Sequence, residues 1–483
     1  MSYINPVLRG FYPDPSVCAV YGKYYMVNSS FQFFPGVPLH ESEDLVNWKP
    51  IGYVLTRPSQ IPLGNAYSGS GIFAPTIRYH EGRFYMVTTN VPSMCNFYVW
   101  TDDIYGEWSE PVRVEQGGID PSLLFDGGKC YFISNGVADD GTPGITQCEI
   151  NIETGKKLTP SISIWQGAGG RYLEGPHMYH IGDTYWLLAA EGGTEYGHMI
   201  TCAKSKDVWG PFTTCPVNPV VTNRNKAPYQ IQGIGHGDLV WDKYGDMHII
   251  SLGFRQIDDF QQYHVLGRET MLMPAKFENG SLIGGFDGTV DIEYPYYAEQ
   301  VIKKEWTFEN TKWDKDWSFI RNYDPTAYEL TADKAVLYGR DDTLSTRGIN
   351  TFIALREKDM DFTLTCRVEN IGGEGGVTVY AGENEHIDLC EKNGKICLNF
   401  TVAGIENTIA CIPSDDDVTL IVKGEPYFYS FYAAINGNKV FLGRIASKYV
   451  STEVAGGFIG VMLGLYAQGN GKTIFTDFKL IYD

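Results

Sequence analysis

The sequence contains few cysteines, fewer basic than acidic residues and no long apolar stretch. Ten cysteines in 483 residues are too sparse for a disulfide framework and include no Cys-x-x-Cys pair, so we expect ten free thiols. Lysine and arginine total 38 against 58 acidic residues, a net charge of −20, which disfavours nucleic acid or an anionic membrane surface as a partner. Because no run of 18 apolar residues occurs, the sequence predicts no transmembrane helix.

The N-terminal residues include neither a basic stretch nor an apolar segment, so we expect no secretory signal and a cytoplasmic location. No long amphipathic helical pattern is present either. Aromatic residues make up 14% of the chain and glycines number 54; aromatic residues favour strands and glycines favour tight turns. The composition therefore predicts a soluble β-rich protein with flat apolar side chains that could stack on sugar rings.

A short pattern recurs five times in the first 295 residues. A key residue is followed by Pro, Gly or Asp, and a glycine stands eight positions after the key residue. Each copy predicts a strand, a tight turn at the glycine and a second strand, and five unrelated hairpins would not share this spacing. Repeated hairpins of this kind predict a five-bladed β-propeller over residues 1–295. The key residues are Asp14, Ala74, Asp120, Glu174 and Gly237.

The pattern changes after a boundary near residues 294–304. Residues 361–368 alternate apolar and polar side chains, and residues 396–402 and 473–482 do the same between glycine-rich turns. Short alternating strands predict an antiparallel β-sandwich over residues 305–483. The predicted fold class is therefore all-β, a five-bladed propeller followed by a sandwich.

Three of the five key residues are acidic, namely Asp14, Asp120 and Glu174. The first strand of each blade lines the central channel, so equivalent repeat positions point to one axis. Like charges confined there raise one another's pKa values, and a structural benefit is not evident, although Asp-Pro sequences also stabilise turns. Three carboxylates on a sugar-sized pocket fit glycoside hydrolysis, which needs a carboxylic acid and a carboxylate. They could instead hold a hard cation, but no EF-hand-like loop is present.

The segments that carry these acids, residues 11–16, 118–122 and 172–177, resemble glycoside hydrolase family 43, as do residues 44–48 and 267–270. The resemblance spans most of the chain, and its C-terminal part is similar to the concanavalin-A-like jelly roll of the β-xylosidase branch. It implies an exo-acting, inverting hydrolase that removes terminal non-reducing pentoses from small oligosaccharides. A β-1,4-D-xylosidase is the first expectation, and an α-L-arabinofuranosidase or a bifunctional enzyme is the alternative.

The resemblance also implies roles for individual residues. Asp14 matches the general base, Glu174 matches the general acid, and Asp120 matches the residue that raises the pKa of the acid. Many members of the xylosidase branch have tryptophan where this chain has phenylalanine at position 73, which leaves the choice of pentose open. Substrate-contacting positions of the family are matched by Arg268, Phe31, Phe73 and His236.

Three further expectations follow from the resemblance. No cofactor is required, although a calcium ion near His236 is compatible, because relatives have a water or a cation beside this position. A homo-oligomer is also compatible, since relatives with this sandwich are often dimers or tetramers. The sandwich reaches toward the active site in relatives, and the glycine-rich segment 464–471 is the predicted contact. Independently of the resemblance, we expect His177, next to the acid motif, to pack locally.

Three other classes of function fit parts of the sequence. A non-catalytic carbohydrate-binding propeller with a lectin-like sandwich would need no separate acid and base. A protein-interaction propeller usually has tryptophan–aspartate or kelch repeats, which are not apparent here. A retaining hydrolase of fructosides typically has cysteine after the acidic glutamate, whereas Gly175 follows Glu174 in this chain.

Overall fold

A computed structural model describes residues 1–258, 260–414 and 417–483, and nearly every regular element in it is a β-strand. The chain starts with β1 (Ser2–Ile4), β2 (Ser16–Val20), β3 (Lys23–Val27), β4 (Phe33–Phe34), β5 (Gly36–Ser42) and β6 (Lys49–Leu55). Strands β2, β3, β5 and β6 form the antiparallel blade 1. Blade 2 is built from β7 (Thr76–His80), β8 (Arg83–Asn90), β9 (Cys95–Thr101) and β10 (Val112–Arg113).

Three further four-stranded blades follow in chain order. Blade 3 is built from β11 (Ile119–Asp126), β12 (Lys129–Val137), β13 (Pro143–Ile150) and β14 (Ile162–Trp165). Blade 4 is built from β15 (Glu174–Ile181), β16 (Thr184–Glu191), β17 (Met199–Ser205) and β18 (Thr213–Thr214). Blade 5 is built from β19 (Ile231–Trp241), β20 (Met247–Arg255), β21 (Glu269–Glu278) and β22 (Ser281–Gly284).

The first strands of the blades contact one another in a closed ring, in the order β2, β7, β11, β15, β19 and back to β2. This ring confirms the predicted five-bladed propeller. The repeated glycines lie in the turns after these strands with φ between 66° and 91°, a conformation that residues with a Cβ rarely adopt. These turn glycines are Gly22, Gly82, Gly128, Gly182 and Gly245. Strand β23 (Glu293–Pro295) then pairs with β1.

The predicted sandwich consists of two eight-stranded sheets. Besides β4, their strands are β24 (Glu305–Thr307), β25 (Ser318–Ile320), β26 (Tyr328–Leu330), β27 (Lys334–Tyr338), β28 (Thr351–Arg356), β29 (Phe362–Ile371), β30 (Glu374–Gly382), β31 (Glu385–Lys392), β32 (Lys395–Val402), β33 (Ile405–Pro413), β34 (Val418–Glu425), β35 (Phe428–Ile435), β36 (Asn438–Ala446), β37 (Met462–Gln468) and β38 (Lys472–Tyr482). In the first sheet the order is β26-β27-β38-β29-β34-β35-β36, with β24 beside β38, and in the second it is β33-β32-β31-β30-β37-β28-β25-β4.

Helical turns are short and lie in connecting segments. They are the 3₁₀ turns Val91–Ser93, Pro325–Ala327 and Ser447–Val450 and the one-turn helix α1 (Thr452–Ala455). In the described part of the chain, no helix is long and apolar enough to cross a membrane.

The two domains share structure rather than meeting at a loose linker. Strand β4 of the propeller chain adds to the second sandwich sheet, with Phe34 opposite Phe319. Two buried arginines of the sandwich donate hydrogen bonds to propeller carbonyls: Arg321 Nε to Ala66 O at 2.5 Å and Arg356 Nε to Phe11 O at 2.7 Å. One apolar core also runs through both domains. The sandwich is therefore held rigidly against the propeller.

The expectation of ten free thiols is wrong for one pair of cysteines. Strands β32 and β33 place Cys397 opposite Cys411 in register, and the two form a disulfide. The sequence did not indicate this pair, because two cysteines separated by 14 residues can be recognised as partners only once the strand register is known. The other eight cysteines are free.

Candidate active site

A cavity of about 690 Å³ lies at the N-terminal ends of the inner strands and is lined by all seven predicted site residues. Its size falls within the range of small-molecule sites. The lining includes Asp14, Asp120 and Glu174 together with Phe31, Phe73, His236 and Arg268. Residues from all five blades thus meet in one place, as expected for equivalent positions of a propeller repeat.

Local backbone geometry turns the acidic side chains toward this cavity. The pairing register shifts at the start of β11, next to Asp120, and at the start of β15, next to Glu174. Such bulges re-aim side chains, often beside active sites. Asp14 and Asp120 also have φ angles of 52° and 53°, which cost a non-glycine residue roughly 1–3 kcal/mol and persist only where the surroundings hold them.

Asp14 is buried, and its two carboxylate oxygens have separate partners. Oδ1 accepts a hydrogen bond from Arg268 Nη1 at 3.0 Å, and Oδ2 accepts one from Ser29 Oγ at 2.5 Å. Burial alone would raise the pKa of Asp14, but the Arg268 guanidinium and the Ser29 hydroxyl outweigh it and lower the pKa below its ordinary value. Asp14 is therefore ionised at neutral pH and suited to accept a proton.

Glu174 and Asp120 are affected in the opposite direction. Burial, reinforced by the charge of Asp14, raises the pKa of Glu174 to about 7. Burial and the carboxylates of Glu174 and Asp14 raise the pKa of Asp120 well above its ordinary value. The only hydrogen bond found for the Asp120 carboxylate among the described residues is a long one, 3.3 Å from the Gly175 amide. Because the charge of Glu174 raises the pKa of Asp120, the two carboxyls titrate as an interacting pair.

His236 lies beside Asp14 and packs against Gly175, the residue after Glu174. Its Nδ1 is 3.7 Å from Asp14 Oδ1. Burial lowers the pKa of His236, so the imidazole is neutral at pH 7 and does not cancel the charge of Asp14. Gly175 has a φ of 58°, and a Cβ there would come within 2.9 Å of the His236 ring. Glycine after Glu174 is therefore favoured both by the positive φ at this bulge and by the packing of the His236 ring.

Arg268 contacts both Asp14 and two aromatic rings of the cavity wall. Besides Asp14, its guanidinium donates to Thr194 Oγ1 at 3.1 Å and to the carbonyl of Phe458 at 3.1 Å. The guanidinium lies 5.5 Å from the centre of the Phe31 ring and 5.4 Å from that of Phe458. Arg268 thus forms an ion pair with Asp14 and itself lines the cavity.

The sandwich contributes part of the cavity wall, through residues that the sequence did not indicate. Phe458 lies 6.0 Å from Phe31 and 5.9 Å from Phe73 between ring centres. Glu453 accepts hydrogen bonds from Tyr196 and from the backbone amide of His264. A Gly-Gly pair directly before Phe458 marks the turn that presents it.

The predicted contact at 464–471 is wrong. Residues 464–468 belong to β37, which pairs with β28 and β30 inside the second sandwich sheet. Backbone hydrogen bonds on both sides hold this segment in the sheet, and none of its residues lines the cavity. The contact is made instead by residues 452–458.

A second buried network beneath the cavity was also missed. Asp238, next to the fifth key residue, accepts hydrogen bonds from Ser16 Oγ at 2.7 Å and from Arg78 Nη1 at 2.8 Å. Burial alone would raise the pKa of Asp238, but Arg78 holds it well below its ordinary value. His177 contacts Arg78 through Nδ1 at 2.9 Å, in line with its expected local packing. This network connects four inner strands and stabilises the ring that carries the acids.

The arrangement around His236 does not form a protein-built metal site. In residues 1–258, 260–414 and 417–483, no group of three or more His, Cys, Asp or Glu side chains is placed to hold a metal ion. Asp14 is already engaged by Arg268 and Ser29. Calcium near His236 therefore stays a prediction, and no step of the chemistry is derived through it.

Comparisons with known proteins agree with this fold. Residues 3–282 match the model of glycosyl hydrolases family 43, and residues 305–481 match the β-xylosidase C-terminal concanavalin A-like domain. The non-reducing end α-L-arabinofuranosidase BoGH43B of Bacteroides ovatus is 36% identical over 98% of this chain and 92% of that protein. A xylosidase/arabinosidase of Butyrivibrio fibrisolvens is 36% identical over 97% of this chain and 96% of that one. The solved structure of a Bacteroides ovatus xyloglucan PUL GH43B has a TM-score of 0.93, with 34% identity and full coverage of both chains.

A propeller with an ionised and a protonated carboxyl in one sugar-sized cavity, closed by a concanavalin-A-like sandwich, defines a glycoside hydrolase. The chain belongs to glycoside hydrolase family 43.

Proposed function

We propose that the protein is an exo-acting, inverting hydrolase of terminal non-reducing pentoses, with β-1,4-linked xylo-oligosaccharides as the first candidate substrate. The proposal rests on one observation: carboxyls that line the same cavity differ in their protonation state at neutral pH. Asp14 is ionised, whereas Glu174 stays protonated up to about pH 7 and the pKa of Asp120 is raised well above its ordinary value. Inverting hydrolysis requires a carboxylate base and a carboxylic acid at the same time.

In this mechanism Asp14 removes a proton from a water molecule as the water oxygen attacks the anomeric carbon. Glu174 donates its proton to the glycosidic oxygen while the bond to the leaving sugar breaks. Asp120 keeps Glu174 protonated, and Arg268 orients Asp14. Attack on the face opposite the leaving group inverts the anomeric configuration, and it requires the base and acid carboxyls to be about 6.5–9.5 Å apart.

Exo action is supported by the walls of the cavity. Phe458 and Glu453 come from the sandwich, and the remaining walls come from propeller blades and their loops. A cavity bounded by two rigidly joined domains favours the end of a sugar chain over the interior of a long polysaccharide. The wall formed by Phe31, Phe73 and Phe458 supplies apolar surface for one ring.

α-L-Arabinofuranosides are the second candidate substrate. The Bacteroides ovatus relative is named for this activity, and the Butyrivibrio fibrisolvens relative, at the same 36% identity, is named for both sugars. The acid–base chemistry is the same for either sugar, so the choice depends on the cavity walls alone.

The deciding measurement compares kcat/KM on 4-nitrophenyl β-D-xyloside and 4-nitrophenyl α-L-arabinofuranoside. A ratio well above about ten, the size of effect that a few pocket contacts produce, supports the xylosidase. A ratio below one supports the arabinofuranosidase. Proton NMR of freshly released xylose adds the stereochemistry: α-xylose as the first anomer supports inversion, and β-xylose contradicts it.

Matched variants separate catalysis from sugar binding alone. Asp14→Asn and Glu174→Gln each remove one proton-transfer group, and we expect each to lower kcat by about 10²–10⁴-fold. Asp183→Asn is the control, because Asp183 is an exposed carboxyl in the turn after the same strand as Glu174. Sugar binding without turnover in the unmodified protein would instead support a carbohydrate-binding propeller.

The proposal includes a cytoplasmic enzyme that requires no cofactor and acts on small oligosaccharides. The eight free cysteines fit a reducing compartment, whereas the Cys397–Cys411 disulfide fits an oxidising one. Fractionation of the producing cells distinguishes them: activity in the cytoplasmic fraction supports the proposal, and activity outside the cytoplasm contradicts it.

A further inference from the structure

The rim of the cavity beside Glu174 presents an aromatic side chain that the chemistry so far does not use. Tyr172 lines the same cavity, yet 65% of it is exposed. We infer that Tyr172 is the stacking surface for the sugar on the leaving-group side of the scissile bond, and this inference rests on the proposed hydrolase function. The ligand is a neutral sugar ring that offers an apolar face to the tyrosine and hydroxyls to its neighbours.

The position of Tyr172 along the chain supports this role. It stands two residues before Glu174, the first residue of β15. The acid must face the glycosidic oxygen, so the sugar attached to that oxygen lies on the same side as the acid. The segment that leads into the acid's strand is therefore where a leaving sugar meets the protein first.

The backbone at Tyr172 is held in a costly conformation. Its φ is 53°, in the left-handed region that costs a residue with a Cβ roughly 1–2 kcal/mol. A bulky aromatic residue there is unusual, and such strain persists where the surroundings enforce it, often at ligand sites. Exposed tyrosine in this conformation brings no evident gain to the fold, which is consistent with a role in binding.

The surroundings of Tyr172 hold the ring while leaving much of it open. A Cβ on Gly193 would lie 3.1 Å from Tyr172 Cδ2, so the ring packs closely on this glycine. The guanidinium of Arg171 lies 5.2 Å from the ring centre and forms an ion pair with Glu195. Both Arg171 and Glu195 line the cavity and offer donors and acceptors for sugar hydroxyls.

The segment is also anchored from below. The buried carboxylate of Glu191 accepts hydrogen bonds from the backbone amides of Ala168, at 2.7 Å, and Gly170, at 2.5 Å. The Gly192 amide donates to the carbonyl of Arg171 at 2.7 Å. Tyr172 is thus presented on a rigid support, which lowers the entropic cost of binding a sugar against it.

The test compares two substrates with the same terminal sugar and different leaving groups. Xylobiose places a sugar ring beside Tyr172, whereas methyl β-D-xyloside leaves only methanol and cannot reach it. For Tyr172→Ala we expect kcat/KM on xylobiose to fall by roughly tenfold, the size of a lost ring-stacking contact, and kcat/KM on methyl xyloside to stay within about twofold. Tyr172→Phe keeps the ring and should restore xylobiose hydrolysis. If the enzyme prefers arabinofuranosides, the corresponding arabinobiose and methyl arabinofuranoside take their place.

Tyr244→Ala is the matched control, because Tyr244 is also highly exposed, at 67%, and does not line the cavity. An equal loss on both substrates with Tyr172→Ala would show that Tyr172 merely supports the Glu174 strand, and it would overturn the inference. Unchanged kcat/KM on xylobiose would overturn it too. An unmodified protein that hydrolyses neither substrate pair would refute the proposed function itself, which is a different outcome from either of these.

Discussion

Replacing Asp120 by asparagine should move the alkaline limb of the pH–activity profile to lower pH. In the proposed mechanism Glu174 acts as the protonated acid, so activity is present below its pKa and is lost as the pH rises through it. In the unmodified protein that pKa is raised from 4.5 to about 7, and the alkaline limb should therefore lie near pH 7. The asparagine side chain keeps the shape of the aspartate, and its amide oxygen can still accept the hydrogen bond from the Gly175 amide.

The size of the shift follows from what the substitution removes and what it leaves. Burial of Glu174 and the charge of Asp14 remain, so part of the elevation persists. The repulsion between Glu174 and Asp120, which raises the pKa of Asp120 and by reciprocity acts on Glu174 as well, disappears. At an effective dielectric constant of about 20, like charges sharing a site repel by on the order of 1–3 kcal/mol, or about one to two pH units. We therefore expect the alkaline limb of Asp120→Asn near pH 5–6.

The assay is kcat/KM against pH on xylobiose, because this parameter reports the ionisations of the free enzyme. Xylobiose is preferable to a nitrophenyl glycoside, whose leaving group needs little protonation and would hide the acid. The acidic limb, which reports Asp14, should move far less than the alkaline limb. An alkaline limb that stays near pH 7 in Asp120→Asn would refute a contribution of Asp120 and leave burial and the charge of Asp14 as the causes of the raised pKa.

Three other predictions concern the ring of inner strands, the aromatic wall of the cavity and a calcium ion near His236. Arg78→Met removes the guanidinium partner of the fully buried Asp238 carboxylate and should lower the free energy of unfolding, measured by urea denaturation, by about 3–5 kcal/mol. Combining Arg78→Met with Asp238→Asn should recover part of this loss, and additive losses would contradict the pairing. Phe458→Ala opens the aromatic wall and should raise KM for xylobiose by roughly tenfold with a smaller change in kcat; an unchanged KM would mean that the sandwich does not contact the sugar. Dialysis against EDTA should leave kcat/KM unchanged; a loss that added calcium restores would instead support a cation near His236.

The repeat made much of the propeller predictable. A glycine eight positions after each key residue is needed because the turn requires positive φ, and this requirement holds in every blade regardless of the surrounding sequence. The same regularity made the acids predictable, since Asp14, Asp120 and Glu174 occupy equivalent places on inner strands that close into a ring. A pattern that recurs at a fixed position reports a common geometry, and here it reported a common cavity.

Contacts between distant parts of the chain could not be predicted in this way. The Cys397–Cys411 disulfide depends on the register of two strands, and no local pattern encodes that register. The glycine-rich segment 464–471 has the composition of a loop, yet most of it is strand because neighbours on both sides supply backbone hydrogen bonds. Arg78 meets Asp238 across 160 residues only because the ring brings their blades together.

The residues proposed for proton transfer occupy positions that the local repeat predicted, whereas the residues proposed to select the sugar occupy positions set by contacts between distant segments. The proposed proton-transfer residues lie at the N-terminal ends of inner strands whose positions the closed ring fixes, so the ring holds these carboxyls in place. The cavity walls come from segments that the ring does not constrain: Phe458 from a sandwich turn and Tyr172 from the loop before β15. Changes in such segments can alter which sugar fits while the carboxyls stay in place. Two relatives that are equally similar to this chain can therefore have names of which one refers to arabinose alone and the other to xylose and arabinose. Substitutions at Phe458 or Tyr172 should change substrate preference more readily than mechanism.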